Sequence, residues 1–127
     1  MTKVAIHTDN APRPVASYAQ AVRRGNIVHV AGQGPGEPAT GEFVRAEIRE
    51  QTRQALDNVC AILAEAGTSL DDAVMVRVYL ARHSDFAGMN EVYEKYVNSP
   101  FPGRTTVYVG LPPDMLVEID VLAVTES

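Results

Sequence analysis

The sequence predicts an α+β fold in which a mixed sheet carries two helices packed on one of its faces. Apolar periodicity gives the order strand, strand, strand, helix, strand, helix, strand, strand. Each helix connects two strands, and right-handed crossovers that run the same way along the sheet place both helices on one face. The other face keeps alternating Val, Ile and Leu. Because so small a domain does not normally leave such a face in water, we expect self-association.

The N-terminal third predicts extended structure. Lys3 to His7 is a short edge strand, Val15 to Val22 is extended, and Arg24-Gly25-Asn26 turns the chain into a strand over Ile27 to Ala31. The following loop, residues 32–38, has glycine at alternate positions but lacks the Lys-Ser/Thr ending of a phosphate loop. We interpret its glycines as sites where the backbone approaches a ligand or a neighbouring segment closely.

The middle of the chain alternates helical and strand patterns. Helical periodicity extends from about Phe43 to Ala66, with Gly67 as the C-terminal cap. The spacing of Cys60 within this helix favours a buried small hydrophobe over a nucleophile. Strand alternation follows from Val74 to Ala81, and Ser84 is the expected cap of a second helix. The apolar face of that helix carries Phe86, Met89, Tyr93 and Tyr96 or Val97.

The last two strand-like runs flank a Gly/Pro turn and are predicted to form an antiparallel pair. Arg104 begins the first run, and its guanidinium fork fits a carboxylate or a phosphate, unless it is a strand-end arginine that points into water. Alternation in the second run puts Glu118 and Asp120 on the face opposite Val117 and Ile119. Acids on a mixed face are usually solvated, but hairpin pairing could bring one of them near the arginine's ligand.

Composition restricts the classes of function. The 127 residues predict a single domain, 1–127, and 46% hydrophobic with 21% charged residues is typical of a globular protein without a membrane span. The N-terminus lacks a signal-peptide pattern, so we expect a cytoplasmic protein. One cysteine and three scattered histidines indicate no disulfide and no readable metal site. A net charge of −5 without a basic stripe makes a nucleic-acid partner unlikely.

Several motifs occur in the order found in one known family. They are Tyr18-Ala19-Gln20-Ala21-Val22, Val30-Ala31-Gly32-Gln33, Thr40-Gly41, Gln54-Ala55-Leu56-Asp57-Asn58-Val59, Asp85-Phe86 with Met89-Asn90-Glu91-Val92-Tyr93, Pro102-Gly103-Arg104 and Val117-Glu118-Ile119-Asp120. With these, the chain resembles the RidA (YjgF/YER057c/UK114) family nearly from end to end. The resemblance implies a chorismate mutase-like fold assembled as a homotrimer, with clefts between neighbouring subunits. It also implies hydrolysis of reactive enamines and imines of amino acids to 2-oxo acids and ammonia, without a metal or organic cofactor.

The resemblance also assigns roles to individual residues. Arg104 would clamp the carboxylate of an imine substrate, and Glu118 would position or activate water. Tyr18, Gly32 and Asn90 would line the cleft, together with the positions occupied here by Ala31 and Thr106. The chain departs from the family pattern at those last two positions, where serine and cysteine are common, and at Ala16-Ser17, where Gly-Pro is usual. Loss of a hydroxyl removes a possible donor to water or substrate, so rate or substrate preference could differ.

Two other functions compete with the deaminase. A non-catalytic trimer that binds a carboxylate ligand or another protein would keep the arginine clamp without turnover, and Ala31 favours it slightly. Retention of both Arg104 and Glu118 favours the enzyme. Ribonuclease activity is attached to some members of the family, but the acidic charge balance argues against it because phosphate neutralisation dominates nucleic-acid affinity.

Overall fold

The computed structural model describes residues 2–126 and confirms the predicted order of elements. The strands are β1 (Val4–Ile6), β2 (Ala21–Arg24), β3 (Ile27–Gln33), β4 (Ala73–Leu80), β5 (Gly103–Tyr108) and β6 (Val117–Val124), and the helices are α1 (Ile48–Glu65) and α2 (Phe86–Tyr93). Two expected boundaries are wrong. β2 begins at Ala21 rather than Val15, and α1 begins at Ile48 because Phe43 forms an isolated β-bridge with Gly36.

The six strands form one mixed sheet in the order β1-β2-β3-β6-β4-β5. β6 lies between β3 and β4 and is antiparallel to both, whereas β5 pairs with β4 in parallel. The predicted antiparallel pairing of the last two strands is therefore wrong. α2 carries the chain from β4 to the parallel strand β5, and the long connection after β5 lets β6 return to the middle of the sheet. A central place suits β6, because Val117, Ile119 and Val121 on its helix-facing side have no exposed surface.

Both helices belong to one hydrophobic core with the sheet. The helical periodicity predicts one apolar stripe along α1, and its residues Ile48, Ala55, Val59 and Ile62 are buried. Gly67, at φ +80°, ends this helix as predicted: its N–H donates to Ala64, and the next N–H, of Thr68, donates to Leu63.

Helix α2 packs closely against α1, because a Cβ atom at Gly88 would lie 2.6 Å from Cγ2 of Ile48. A 3₁₀ turn over His83–Asp85 precedes α2, so Ser84 does not cap this helix as predicted. Asp85 instead pairs with Arg82 at 2.9 Å, which ties the turn to the end of β4.

The glycine-rich loop after β3 is attached to α1 by a buried amide. Asn58 Nδ2 donates to the carbonyl oxygens of Gly34 and Gly36 at 3.1 and 2.9 Å. Cβ atoms added at these glycines would lie 2.5 Å from Met115 Cε and 3.0 Å from Pro12 Cγ. The close approach of backbone that the glycines predict is therefore present, and its neighbours are other segments of the same chain.

The second face of the sheet carries no helix among residues 2–126. Ile27 and Val107 on this face are 48% and 38% exposed, whereas Asp120 on the same face is buried. Within the same residues, neither helix is long and apolar enough to cross a bilayer.

Candidate functional site

Arg104 is held in place from three sides at the start of β5. Its Nη1 donates to Asn90 Oδ1 at 2.7 Å, and its guanidinium carbon lies 4.7 Å from the centre of the Tyr93 ring and 5.6 Å from that of Phe86. Because α2 supplies all three neighbours, the crossover between β4 and β5 builds this arrangement. Asn90 is oriented in turn by Glu94, whose carboxylate accepts from its Nδ2 at 3.0 Å.

The guanidinium of Arg104 keeps donors available for a ligand. Its Nε and Nη2 donate to no acceptor in the described part of the chain. It lines a cavity of about 580 Å³ together with Asn90, Tyr93, Val97 and Phe101. A half-buried, fully charged fork that opens into a partly apolar cavity can bind a carboxylate through two parallel hydrogen bonds.

Glu118 occupies a second cavity, of about 370 Å³, which Tyr18, Gly32 and Met115 also line. Gly32 seats the carboxylate, because a Cβ atom at this position would lie 2.6 Å from Glu118 Oε2. Burial, followed by the nearby charge of Asp120, raises the pKa of Glu118 above its ordinary value. A carboxyl group whose pKa is shifted toward neutrality is suited to exchanging a proton with water.

Asp120 is buried rather than solvated, contrary to the expectation for this mixed face. It is 7% exposed and accepts hydrogen bonds from Arg77 Nε and the Tyr79 hydroxyl, each at 2.8 Å. The antiparallel register of β4 and β6 brings these partners together, since Arg77 lies opposite Asp120 and Tyr79 lies opposite Glu118. These partners hold the Asp120 carboxylate on the same face of β6 as Glu118, where it contributes to the raised pKa of Glu118.

One chain does not bring Arg104 and Glu118 together. The register places Arg104 with Val76 on the helix-facing side of the sheet, whereas Glu118 lies with Tyr79 on the other side. The two side chains line separate cavities that share no residue. The expected approach through hairpin pairing is wrong, because β4 separates β5 from β6.

The remaining predicted site residues divide between these two halves. Asn90 and Thr106 lie with Arg104, since Thr106 is half-buried and its register partner Val78 faces the helices. Tyr18 and Gly32 lie with Glu118, and Ala31 precedes Gly32 on β3. The hydroxyl of Tyr18 accepts from the Val15 N–H at 3.4 Å, and its ring is 48% exposed.

Sequence reasoning missed the aromatic support of Arg104 and the ion pair of Asp120. The sequence places Phe86 and Tyr93 on an apolar helix face and Asn90 one helical turn before Tyr93, toward the same rim, but does not show that both rings contact Arg104. Arg77 and Tyr79 alternate with buried valines, which was a signal for a polar second face. Neither pattern predicts which side chain on a distant strand forms the contact.

The other reactive side chains do not form a site. Burial, with a smaller contribution from Asp57, raises the pKa of Cys60 to about 11, which disfavours the thiolate and agrees with a packing role. Within residues 2–126, no group of three or more His, Cys, Asp or Glu side chains is placed to hold a metal ion.

Comparison with known proteins identifies the family. Residues 8–125 match the family model described as endoribonuclease L-PSP. A RutC family protein of Pyrococcus horikoshii is 49% identical over 98% of this chain and 99% of its own length. A Dermatophagoides farinae protein named 2-iminobutanoate/2-iminopropanoate deaminase is 38% identical over 95% of both chains.

A solved structure supports the same assignment. The crystal structure of RidA from an Antarctic Psychrobacter is 39% identical and superimposes with a TM-score of 0.91 over 96% of this chain and 99% of that one. From its sequence, its fold and these relatives, the chain belongs to the YjgF/RidA family.

Proposed function

We propose that this protein is a hydrolytic deaminase that converts reactive enamine and imine intermediates of amino acids into 2-oxo acids and ammonia. The observation that carries the proposal is the Arg104 guanidinium, which is fixed by Asn90 and two aromatic rings yet keeps unused donors in an open cavity. The deaminase name of the Dermatophagoides farinae relative supports the reaction class. The proposal treats residues 1–127 as one functional domain.

Arg104 binds the carboxylate of the substrate. Two N–H groups of one guanidinium donate to the two carboxylate oxygens, and charge-assisted bonds of this kind contribute roughly 1.5 to 3 kcal/mol each. Asn90 and the Tyr93 ring prevent rotation of the fork. The fixed carboxylate then defines where the α-carbon and its C=N bond lie.

Glu118 positions water and moves its proton. Water attacks the α-carbon of the protonated imine while Glu118 accepts a proton, which leaves a hydroxyl and an amino group on that carbon. Glu118 returns the proton to the nitrogen, and the C–N bond breaks to release ammonia as the hydroxyl loses its proton and the C=O bond forms. One imine and one water thus give one 2-oxo acid and one ammonia. An imine is electrophilic once protonated, so orientation and proton transfer suffice, and the proposal includes no metal or organic cofactor.

Two copies of the chain are needed to complete this site. Arg104 and Glu118 lie on opposite sides of the sheet in one chain, so the half-site of Arg104 must meet that of Glu118 from a neighbour. We propose a homotrimer with three such clefts, supported by the second face of the sheet, where Ile27 and Val107 are exposed. Light scattering should give about three times the 13.7 kDa chain mass, and a stable monomer at micromolar concentration would contradict the shared cleft.

A non-catalytic carboxylate-binding trimer is the alternative, because Ala31 supplies no hydroxyl where the family commonly has serine. The raised pKa and cavity position of Glu118 favour turnover. RNA cleavage, which the family description names, is disfavoured by the net charge of −5.

The decisive experiment measures ammonia release from imines generated in place by an amino-acid oxidase. Arg104→Lys keeps the charge but loses the fork, and we expect a loss of about tenfold to a hundredfold in kcat/KM, or roughly 1.5 to 3 kcal/mol. Arg104→Ala should lose more, and both variants should still fold and assemble. A lysine variant within about threefold of wild type would refute the clamp.

A further inference from the structure

The cavity beside Glu118 extends well beyond the carboxylate. Its volume of about 370 Å³ falls within the range of ligand pockets, roughly 300 to 1,000 Å³. Its apolar lining includes Phe43, Pro112 and Met115, of which Met115 is buried, and its charged lining residues are Arg13 and Glu118. Such a space is much larger than the single methyl group of an alanine-derived imine requires.

The buried amide of Gln20, which lines this cavity, is already satisfied. Gln20, which is 2% exposed, accepts from the Thr8 N–H and donates to the carbonyls of Thr8, Ala11 and Pro12. Its amide therefore offers the cavity no unpaired group that a polar substrate side chain would be needed to satisfy.

Met115 is a fixed part of the apolar wall. Buried Gln51 holds the backbone on both sides of it, donating to the Asp114 carbonyl and accepting from the Leu116 N–H, each at 2.8 Å. The terminal methyl of Met115 lies against Gly34, where an added Cβ atom would come within 2.5 Å. The thioether is thus confined between the glycine-rich loop and the cavity.

The proposed reaction fixes the orientation of the substrate. Its carboxylate is bound by Arg104 of one copy, and its α-carbon must lie within reach of water held by Glu118 of another. The side chain leaves the same α-carbon, so the space that can receive it adjoins Glu118. The cavity that Met115 and Phe43 line adjoins Glu118 on the same chain.

We infer that this cavity receives the substrate side chain and that Met115 makes the enzyme selective for 2-imino acids with large apolar side chains, such as the imine of leucine. This inference rests on the proposed function. It differs from the small substrates in the name of the Dermatophagoides farinae relative. Apolar pockets discriminate by about tenfold or more per methylene group, so the preference for the leucine-derived over the alanine-derived imine should be at least about tenfold in kcat/KM.

The test compares imines formed in place by an L-amino-acid oxidase from alanine, leucine and phenylalanine. Met115→Gln keeps the length of the side chain but puts an amide in the apolar wall, and should reduce the leucine-to-alanine ratio of kcat/KM by about fivefold or more. Met115→Leu keeps an apolar side chain of similar size and should preserve the ratio. Calorimetric binding of pyruvate and of the 2-oxo acid of leucine provides a readout that does not require turnover.

The outcomes separate the inference from the function. Selective binding of the larger 2-oxo acid that Met115→Gln weakens, without hydrolysis of any imine, would overturn the deaminase but support the cavity. Hydrolysis with no preference for larger side chains, or a ratio unaffected by Met115→Gln, would overturn the cavity assignment and leave the deaminase standing. If Met115→Gln fails to assemble, the leucine-to-alanine ratios of kcat/KM for wild type and Met115→Leu decide the test. Equal wild-type activity on all three imines would then refute the inference.

Discussion

Replacement of Gly32 by alanine tests whether the position of Glu118 governs turnover. The new Cβ atom would lie 2.6 Å from Glu118 Oε2, and ordinary contact begins at 3.4 Å, so the carboxylate oxygen has to move by about 0.8 Å. Gly32 does not have a positive φ, and alanine therefore adds no backbone strain. The three nearest atoms, Oε2, Cδ and Cγ, all belong to the flexible Glu118 side chain, which can move away.

The displacement predicts a specific loss. A misplacement of about 1 Å in a catalytic group can cost on the order of a hundredfold, so we expect kcat for imine hydrolysis to fall by roughly tenfold to a hundredfold, or about 1.4 to 2.7 kcal/mol. The KM should change much less, because Arg104 rather than Glu118 binds the carboxylate. Thermal melting and light scattering should remain close to those of wild type.

The matched control is Gly110→Ala, where an added Cβ atom has no neighbour within 4 Å. It should leave kcat and the melting temperature nearly unchanged. If folded Gly32→Ala retains kcat within about threefold of wild type, turnover does not depend on the position of the Glu118 carboxylate, and its assigned role in water activation fails.

Two further predictions concern stability and pH. The buried hydroxyl of Tyr93 has no hydrogen-bond partner in the described chain, so Tyr93→Phe should raise the free energy of unfolding in urea by about 1 kcal/mol. Tyr79→Phe removes a hydrogen-bond donor from buried Asp120 and should lower the free energy of unfolding by about 1.5 kcal/mol or more. Equal effects of the two substitutions would refute the assigned environments. Because its raised pKa favours the protonated form in the folded chain, Glu118 contributes less stability as pH rises from about 4.3, its unfolded value, through the folded pKa. Glu118→Gln should therefore melt at a higher temperature than wild type above that window and at the same temperature below it, and a difference independent of pH would contradict the shift.

Much of the fold could be predicted from local pattern. The apolar stripe of α1 and the alternate apolar residues of β4 and β6 are buried as predicted. The direction of a side chain along a helix or strand depends only on its position in the repeat. Gly67 ends α1 as predicted, since it alone among its neighbours adopts positive φ without steric cost. The sequence also singled out Arg104 and Glu118 as candidate site residues, and their roles stay a prediction.

Tertiary structure decided which of these residues meet. Strand pairing is a long-range choice, so the sequence could not show that β6 enters the sheet between β3 and β4 or that β5 stays at its parallel edge. That choice separates Arg104 from Glu118 and buries Asp120 against Arg77, although alternation alone suggested a solvated acid. The sequence by itself thus determined the elements and their faces, because these follow from local backbone geometry. Only the fold decided the partners of each charged group, because those partners come from distant segments brought together by burial of the core.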